Sequence, residues 1–184
     1  MKKIFLLITA LCLLLSGCSE GLIPEPPTGV ESKIIVRVLN VDPTTGSTTK
    51  QDVLGQVVFT GNDILWFNET TKELRFKDNM SNNPAKNPVL FNTQVIGFYM
   101  DGEFMFSSVY VNSSSLQTFD CPVLYYNTVE NKYFLLDGYP PDSNLQDPAT
   151  TSPEKLSRRE NWNIIVPEWS KFVNQLKEEK KYKD

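Results

Sequence analysis

Four kinds of side chain in this 184-residue chain have types and spacings that bear on chemistry: dispersed carboxylates, two serine–lysine pairs, one cysteine late in the chain and a surplus of aromatics. Histidine is absent, which removes the commonest general base and the commonest transition-metal ligand. Serine–histidine and cysteine–histidine catalysis are therefore excluded. Two S-x-x-K matches occur, Ser47 to Lys50 and Ser152 to Lys155. A serine–lysine enzyme needs its serine at a buried helix start beside a desolvated lysine. The first match sits in a polar turn and the second reads as a helix N-cap.

A carboxylate pair held roughly 5 to 10 Å apart suffices for glycoside hydrolysis. The available acids are Asp63, Glu69, Glu73, Asp101, Glu103, Asp120 and Asp137. Asp63 has a capping role and Asp101 a turn role, while Glu69, Glu73 and Glu103 read as solvent-facing. Asp137, in "LLDGYPPD", is the least explained; an aspartate before glycine reads first as a turn former, with a place at the border of a cleft as the functional alternative. Asp137, Asp142, Asn144 and Asp147 lack the alternating ligand spacing of a calcium loop. No metal site and no cofactor is expected.

The chain begins Met1-Lys2-Lys3, continues through the apolar run Ile4 to Leu15, and reaches Leu15-Ser16-Gly17-Cys18. The run is shorter than the roughly 20 residues that span a bilayer and fits a secretory leader. Its end resembles the lipobox of bacterial lipoproteins. That resemblance implies cleavage before Cys18 and acylation of its thiol, hence residues 1–17 as signal peptide and membrane lipid as a partner through Cys18. Each buried methylene contributes about 0.8 kcal/mol, so several acyl chains hold such a protein on its membrane. Cys12 leaves with the leader and Cys18 carries lipid, so Cys121 is the only thiol expected to remain.

Loss of residues 1–17 leaves 167 residues, the size of one domain. With Lys2 and Lys3 gone, 16 basic residues face 22 acidic ones, a net charge of −6. Nucleic acid needs a clustered basic face and is disfavoured as a partner. The lysines of "KEEKKYKD" alternate with acids and read as a solvated helix terminus.

These residues need elements to place them. Residues 18–31 comprise the lipidated cysteine and a tether; Ser19 to Glu31 carry three prolines and two glycines and reach about 40 Å when extended. Residues 32–184 form a single globular domain. "KIIVRVLNV" and "VLGQVVFTG" read as strands. In "FTGNDILWFNETTKELRF" the T-x-x-D of Thr60 to Asp63 predicts a helical turn leading into a strand. The alternative pairs Ile64–Asn68 with Glu73–Phe76 across "ETTK". "VLFNTQVIGFYM-DG-EFMFSSVYV" is a hairpin, since Asp101-Gly102 supplies the positive φ of a type I′ turn. "CPVLYYN" and "KYFLLDGYP" form another across "TVEN". "KDNMSNNPAKNP" and "PPDSNLQDPATTSP" are loops.

Ser152-Pro153-Glu154 predicts a helix start. Pro167 predicts a break or a restart. Trp169, Phe172, Val173 and Leu176 make one apolar stripe that needs a sheet face. The fold class is α+β, mainly antiparallel sheet with a C-terminal amphipathic helix packed on it.

Twenty of the 21 aromatics remain after the leader, and Phe or Tyr occupies both faces of adjacent strands. Two-sided apolarity predicts central strands covered on both sides. The functional counterpart is an exposed patch binding a glycan, peptide or protein, with Tyr99, Tyr110, Tyr125 and Tyr126 as its expected exposed members and Asp137 beside it.

The leader, the tether, "FTGNDILWFNETTKELRF", "FYMDGEFMFSS", "LYYNTVENKYFLLDGYP" and "RRENWN…FVNQLKEE" together resemble small uncharacterised lipoproteins of Bacteroides-type gut bacteria. The resemblance implies a cell-envelope location at the outer membrane. Directly after the cysteine, in "CSEG", Glu20 is the single acid, which leaves the periplasmic and surface faces both open. The order "TGNDI…ELRF…DGE" is similar to β-lactamase-inhibitor-like domains, which bind proteins. The resulting expectation is a lipid-anchored, non-catalytic binding or interaction module. The alternatives are a structural envelope partner protein and a carboxylate-only hydrolase.

Overall fold

The computed structural model describes residues 31–39, 55–77, 93–141 and 153–184. Cys18 and the tether before Glu31 lie outside the described residues, as do the S-x-x-K serines and most of the asparagine- and proline-rich loops.

Among the described residues nine strands form one sheet: β1 (Ile34–Val38), β2 (Val57–Thr60), β3 (Ile64–Asn68), β4 (Glu73–Phe76), β5 (Val95–Met100), β6 (Glu103–Asn112), β7 (Val123–Asn127), β8 (Lys132–Leu136) and β9 (Tyr182–Lys183). Their spatial order is β2-β1-β5-β6-β7-β8-β4-β3-β9. The sole described α-helix, α1 (Pro153–Glu178), packs on the sheet. Pairing is antiparallel except for β6 with β7 and β3 with β9.

The sheet is curled into a half-barrel. β2 and β4 stand six places apart in the strand order, yet Phe59 and Phe76 meet edge-on with ring centroids 4.8 Å apart. The chain itself bridges the two ends, because only the 3₁₀ turn Gly61–Asp63 separates β2 from β3. Both readings of this stretch are realised together. Thr60 and Asp63 form a capping box, with the Asp63 carboxylate accepting from the Thr60 amide (2.7 Å) and hydroxyl (2.9 Å). Ile64–Asn68 then pairs with Glu73–Phe76.

The Asp101-Gly102 turn has φ values of 52° and 82° and sets the β5–β6 register, Met100 opposite Glu103. β5 is buried on both faces, as its unbroken apolar run requires. Its inner side, with Ile96 and Phe98, joins Phe67, Phe106 and the helix residues Trp169, Phe172, Val173 and Leu176. Phe172 lies 5.7 Å from Phe98 and 6.1 Å from both Phe67 and Phe106. A fully buried Phe of this kind contributes about 3 kcal/mol. The outer side has its own smaller core of Leu39, Val95, Tyr99, Val109, Val111 and Val123. Ser108 shares the inner face with Phe106 and Tyr110; its hydroxyl is buried without a hydrogen-bond partner among the described residues.

Two helix expectations are corrected. Pro167 neither breaks nor restarts α1, which runs continuously for 26 residues. Trp162 and Ile165 before the proline and Trp169 and Phe172 after it pack on the same core, and that packing outweighs a cost of about 3 kcal/mol for an interior proline. Asn163, whose carbonyl loses its amide donor, is exposed to water.

The end of the chain is a solvated helix terminus only in part: Lys177, Glu178 and Lys180 are exposed, but Lys181 is buried and the last residues join the sheet. The Lys181 amide donates to the Leu176 carbonyl (2.8 Å) and the Lys180 amide to the Lys177 carbonyl (3.0 Å), a Schellman closure with Lys180 at φ 56°. The chain then turns back along β3, where the Lys181 carbonyl accepts from the Phe67 amide. Lys181 is 5 % exposed. Its ammonium donates to the Glu179 carboxylate (2.6 Å) and to the Gly61 carbonyl (2.8 Å). Glu179 also accepts from the Ser32 hydroxyl (2.7 Å) and Gln175 (3.0 Å). This seam joins the start of the domain, the 3₁₀ turn and the C-terminus. Gly61 leaves no room there, since a Cβ would lie 1.9 Å from Ser32 Oγ.

Candidate binding surface

Tyr125 on β7 faces Phe134 on β8 in register, and their rings stack at 6.1 Å on the outer side of the sheet. Tyr139 lies on the other side of Tyr125 at 5.3 Å, so the three rings form a half-buried row. Tyr139 is held by a two-way backbone bridge to Phe119 (2.8 and 2.9 Å). The first turns of α1 hold that bridge in place. Arg158, 9 % exposed, donates to the Phe119 carbonyl (3.3 Å) and the Pro140 carbonyl (3.2 Å). It lies against Gly138, where a Cβ would come within 2.2 Å of its Nε. Ser157 hydrogen-bonds the Asp120 carboxylate, and Asn161 donates to the Asp120 carbonyl (2.9 Å).

Beside this row two loops meet in a rim. Ser113 and Thr128 share a hydroxyl–hydroxyl bond, the Thr128 amide donates to Ser113 Oγ (3.3 Å), and the Ser113 amide donates to the Tyr126 carbonyl (3.0 Å). Asn127 accepts from the amides of Val129 and Glu130, which closes the "TVEN" turn as a local unit. Tyr126 donates to Asn131 (2.9 Å) and Tyr139 to the Ser115 carbonyl (3.4 Å), so one phenol lies under each loop. At the tips Leu116 is 100 % and Val129 91 % exposed.

The expected tyrosine patch is divided. Neighbouring residues on a strand point to opposite faces, so Tyr125 belongs to the outer side and Tyr126 to the inner. Tyr99 and Tyr110 are not exposed, and that expectation is corrected. Tyr99 lies on the outer side over Gly97 and packs edge-on against Phe104 at 5.6 Å; Tyr110 is built into the inner core. Burial pushes the Tyr110 phenol up to about 12. Burial raises that of Tyr99, with the nearby Arg37 charge opposing it. Asp137 is half-buried at the end of β8, one residue before the glycine that accommodates Arg158.

The other candidates have structural engagements. Asp63 caps, and Asp101 sits in the hairpin turn with its carboxylate 3.4 Å from Lys33. Glu69 accepts from the Tyr182 hydroxyl (2.8 Å), a bond that raises that phenol to about 12. Burial, reinforced by Asp120 and partly opposed by Arg158, pushes the Cys121 thiol up to about 11, so it is protonated at neutral pH. Among the described residues no group of three His, Cys, Asp or Glu side chains converges to hold a metal ion.

Arg158 is the positioning residue that sequence reading misses. "RRENWN" gives no sign that one of two adjacent arginines turns inward, because its partners are backbone carbonyls some 18 and 39 residues away. Comparison of the chain with protein-family models, with curated proteins and with solved structures finds no match.

Proposed function

We propose that this chain is a lipid-anchored cell-envelope protein at the outer membrane, of the kind found in Bacteroides-type bacteria, and works as a non-catalytic binding or interaction module. The observation that carries the binding role is the rim with its adjoining ring row: fully exposed aliphatic tips standing on phenols whose positions are fixed by hydrogen bonds. Contiguous exposed apolar surface marks contact sites, and Leu116 and Val129, on two loops joined by the Ser113–Thr128 bond, are the most exposed large apolar side chains described, ahead of Ile164 on α1. The leader ending in Leu15-Ser16-Gly17-Cys18 supports the anchor. The structural engagement of Asp63, Asp101, Glu69 and Glu179 supports a module rather than a carboxylate hydrolase.

Fractionation of cells producing the wild type and Cys18→Ala tests the anchor. The wild type stays with membranes and partitions into detergent, whereas the variant leaves the membrane fraction. Retention of the variant in membranes refutes the anchor. Hydrolysis of glycans or peptides by the purified protein, lost on Asp137→Asn, refutes the non-catalytic role.

A further inference from the structure

The rim has a composition layered by depth. Leu116 and Val129 protrude from the two loops that the Ser113–Thr128 bond joins, Ser113, Thr128 and Asn131 form a hydroxyl and amide collar, and the Tyr126 and Tyr139 hydroxyls bond to one loop each. The nearest charged groups on the "TVEN" side, Glu130 and Lys132, pair with each other at 3.3 Å. Protein hot spots are built on large aromatic or arginine anchors seated in pockets. Aliphatic tips above a hydroxyl and amide collar whose neighbouring Glu130 and Lys132 charges are paired, with amphipathic phenols one layer down, instead match the sequence of hydrocarbon, headgroup and water at a bilayer surface.

Chain length allows such a contact. Residue 33 sits beside the Asp101 turn at one end of β6, where the Asp101 amide donates to the Lys33 carbonyl, and the rim lies at the other end. Ten strand residues span about 34 Å, and thirteen tether residues reach about 40 Å. A domain attached at Cys18 can therefore lie down and bring its rim to the surface that holds its lipid. Two aliphatic side chains are too few to hold a free protein on a membrane, but a tether supplies a high effective concentration that populates weak second contacts.

We propose that the Leu116 and Val129 loops form a second, non-covalent membrane contact, docking the domain rim-down on a phospholipid surface. This rests on the anchored reading above. The test uses the full lipidated protein, purified from membranes and reconstituted in vesicles of phosphatidylethanolamine and phosphatidylglycerol. A bimane label sits at Gln117→Cys in a Cys121→Ser background. Nitroxide-bearing lipids quench the label in the parent protein. Leu116→Ser with Val129→Ser lowers the ratio of docked to undocked protein about a hundredfold, by the area rule, and brings quenching down to background while vesicle flotation persists. Flotation with a label reached only by an aqueous quencher overturns the proposal and leaves the anchor standing, as does unchanged lipid quenching in the double serine variant. Flotation of the Cys18→Ala protein to the same extent as its parent overturns the anchor instead.

Discussion

The seam and the rim use similar polar residues to opposite ends. At the seam Ser32 bonds to Glu179 across 147 residues and Gly61 to Lys181 across 120, the local Lys181–Glu179 pair joins the two, and the Lys181 and Glu179 side chains are 6 % and 9 % exposed. At the rim most bonds span 2 to 15 residues and are exposed, and the apolar side chains point outward. Long-range buried bonds resist opening because breaking one strands its partner in a low dielectric. Local exposed bonds are readily replaced by water. The seam therefore carries stability, and the rim is free to carry contact.

The largest effect that could break this contrast is Lys181→Met. It leaves Glu179 buried beside Ser32 and Gln175 and is expected to cost about 3–5 kcal/mol in denaturant unfolding. Glu179→Met added to Lys181→Met recovers much of that, since removing both charges removes the stranded one. A loss under 1 kcal/mol for the single variant would place the seam on a level with the rim. Gly61→Ala follows at about 1–3 kcal/mol, because its Cβ meets Ser32 at a distance only a backbone shift can relieve.

Acid sharpens the same comparison. Burial by itself raises the Glu179 carboxyl, but hydrogen bonds from Lys181, Ser32 and Gln175, with the Lys181 charge, hold it below its ordinary value of 4.5. A carboxyl depressed on folding adds stability that is complete above its unfolded value and is lost as pH falls through its folded one. Melting curves of the wild type and Glu179→Gln should thus be separated at pH 6 and converge as the pH falls below 4.5 through the depressed folded value. A separation that widens in acid contradicts the assignment. The smallest effect belongs to Leu116→Ser with Val129→Ser, expected to change unfolding stability by no more than about 0.5 kcal/mol. A cost above 2 kcal/mol would mean that the rim is a structural part of the domain.

Local signals were legible in the sequence. Asp101-Gly102, "TVEN", the Thr60–Asp63 capping box and the stripe from Trp169 to Leu176 each involve residues within seven positions of one another, and each forms as expected. The site was legible only in part: Tyr125 and Tyr126 lie in the strand where they were placed, but Tyr99 and Tyr110 face cores that composition does not reveal. A tyrosine has the same pattern whether its neighbour strand leaves it bare or Leu39 and Phe104 cover it.

What the sequence by itself determined is the set of hairpins, the final helix and the α+β class, since turn chemistry and apolar period act over one or two turns of chain. Tertiary structure alone decided that Pro167 stays inside a helix, that Lys181 is buried while Leu116 is bare, that β6 pairs in parallel with β7, and that Arg158 holds the ring row in place. The physical reason is common to all four. Burial and long-range pairing depend on which distant segments arrive on the same face of a curled sheet, and no short window of residues contains that information.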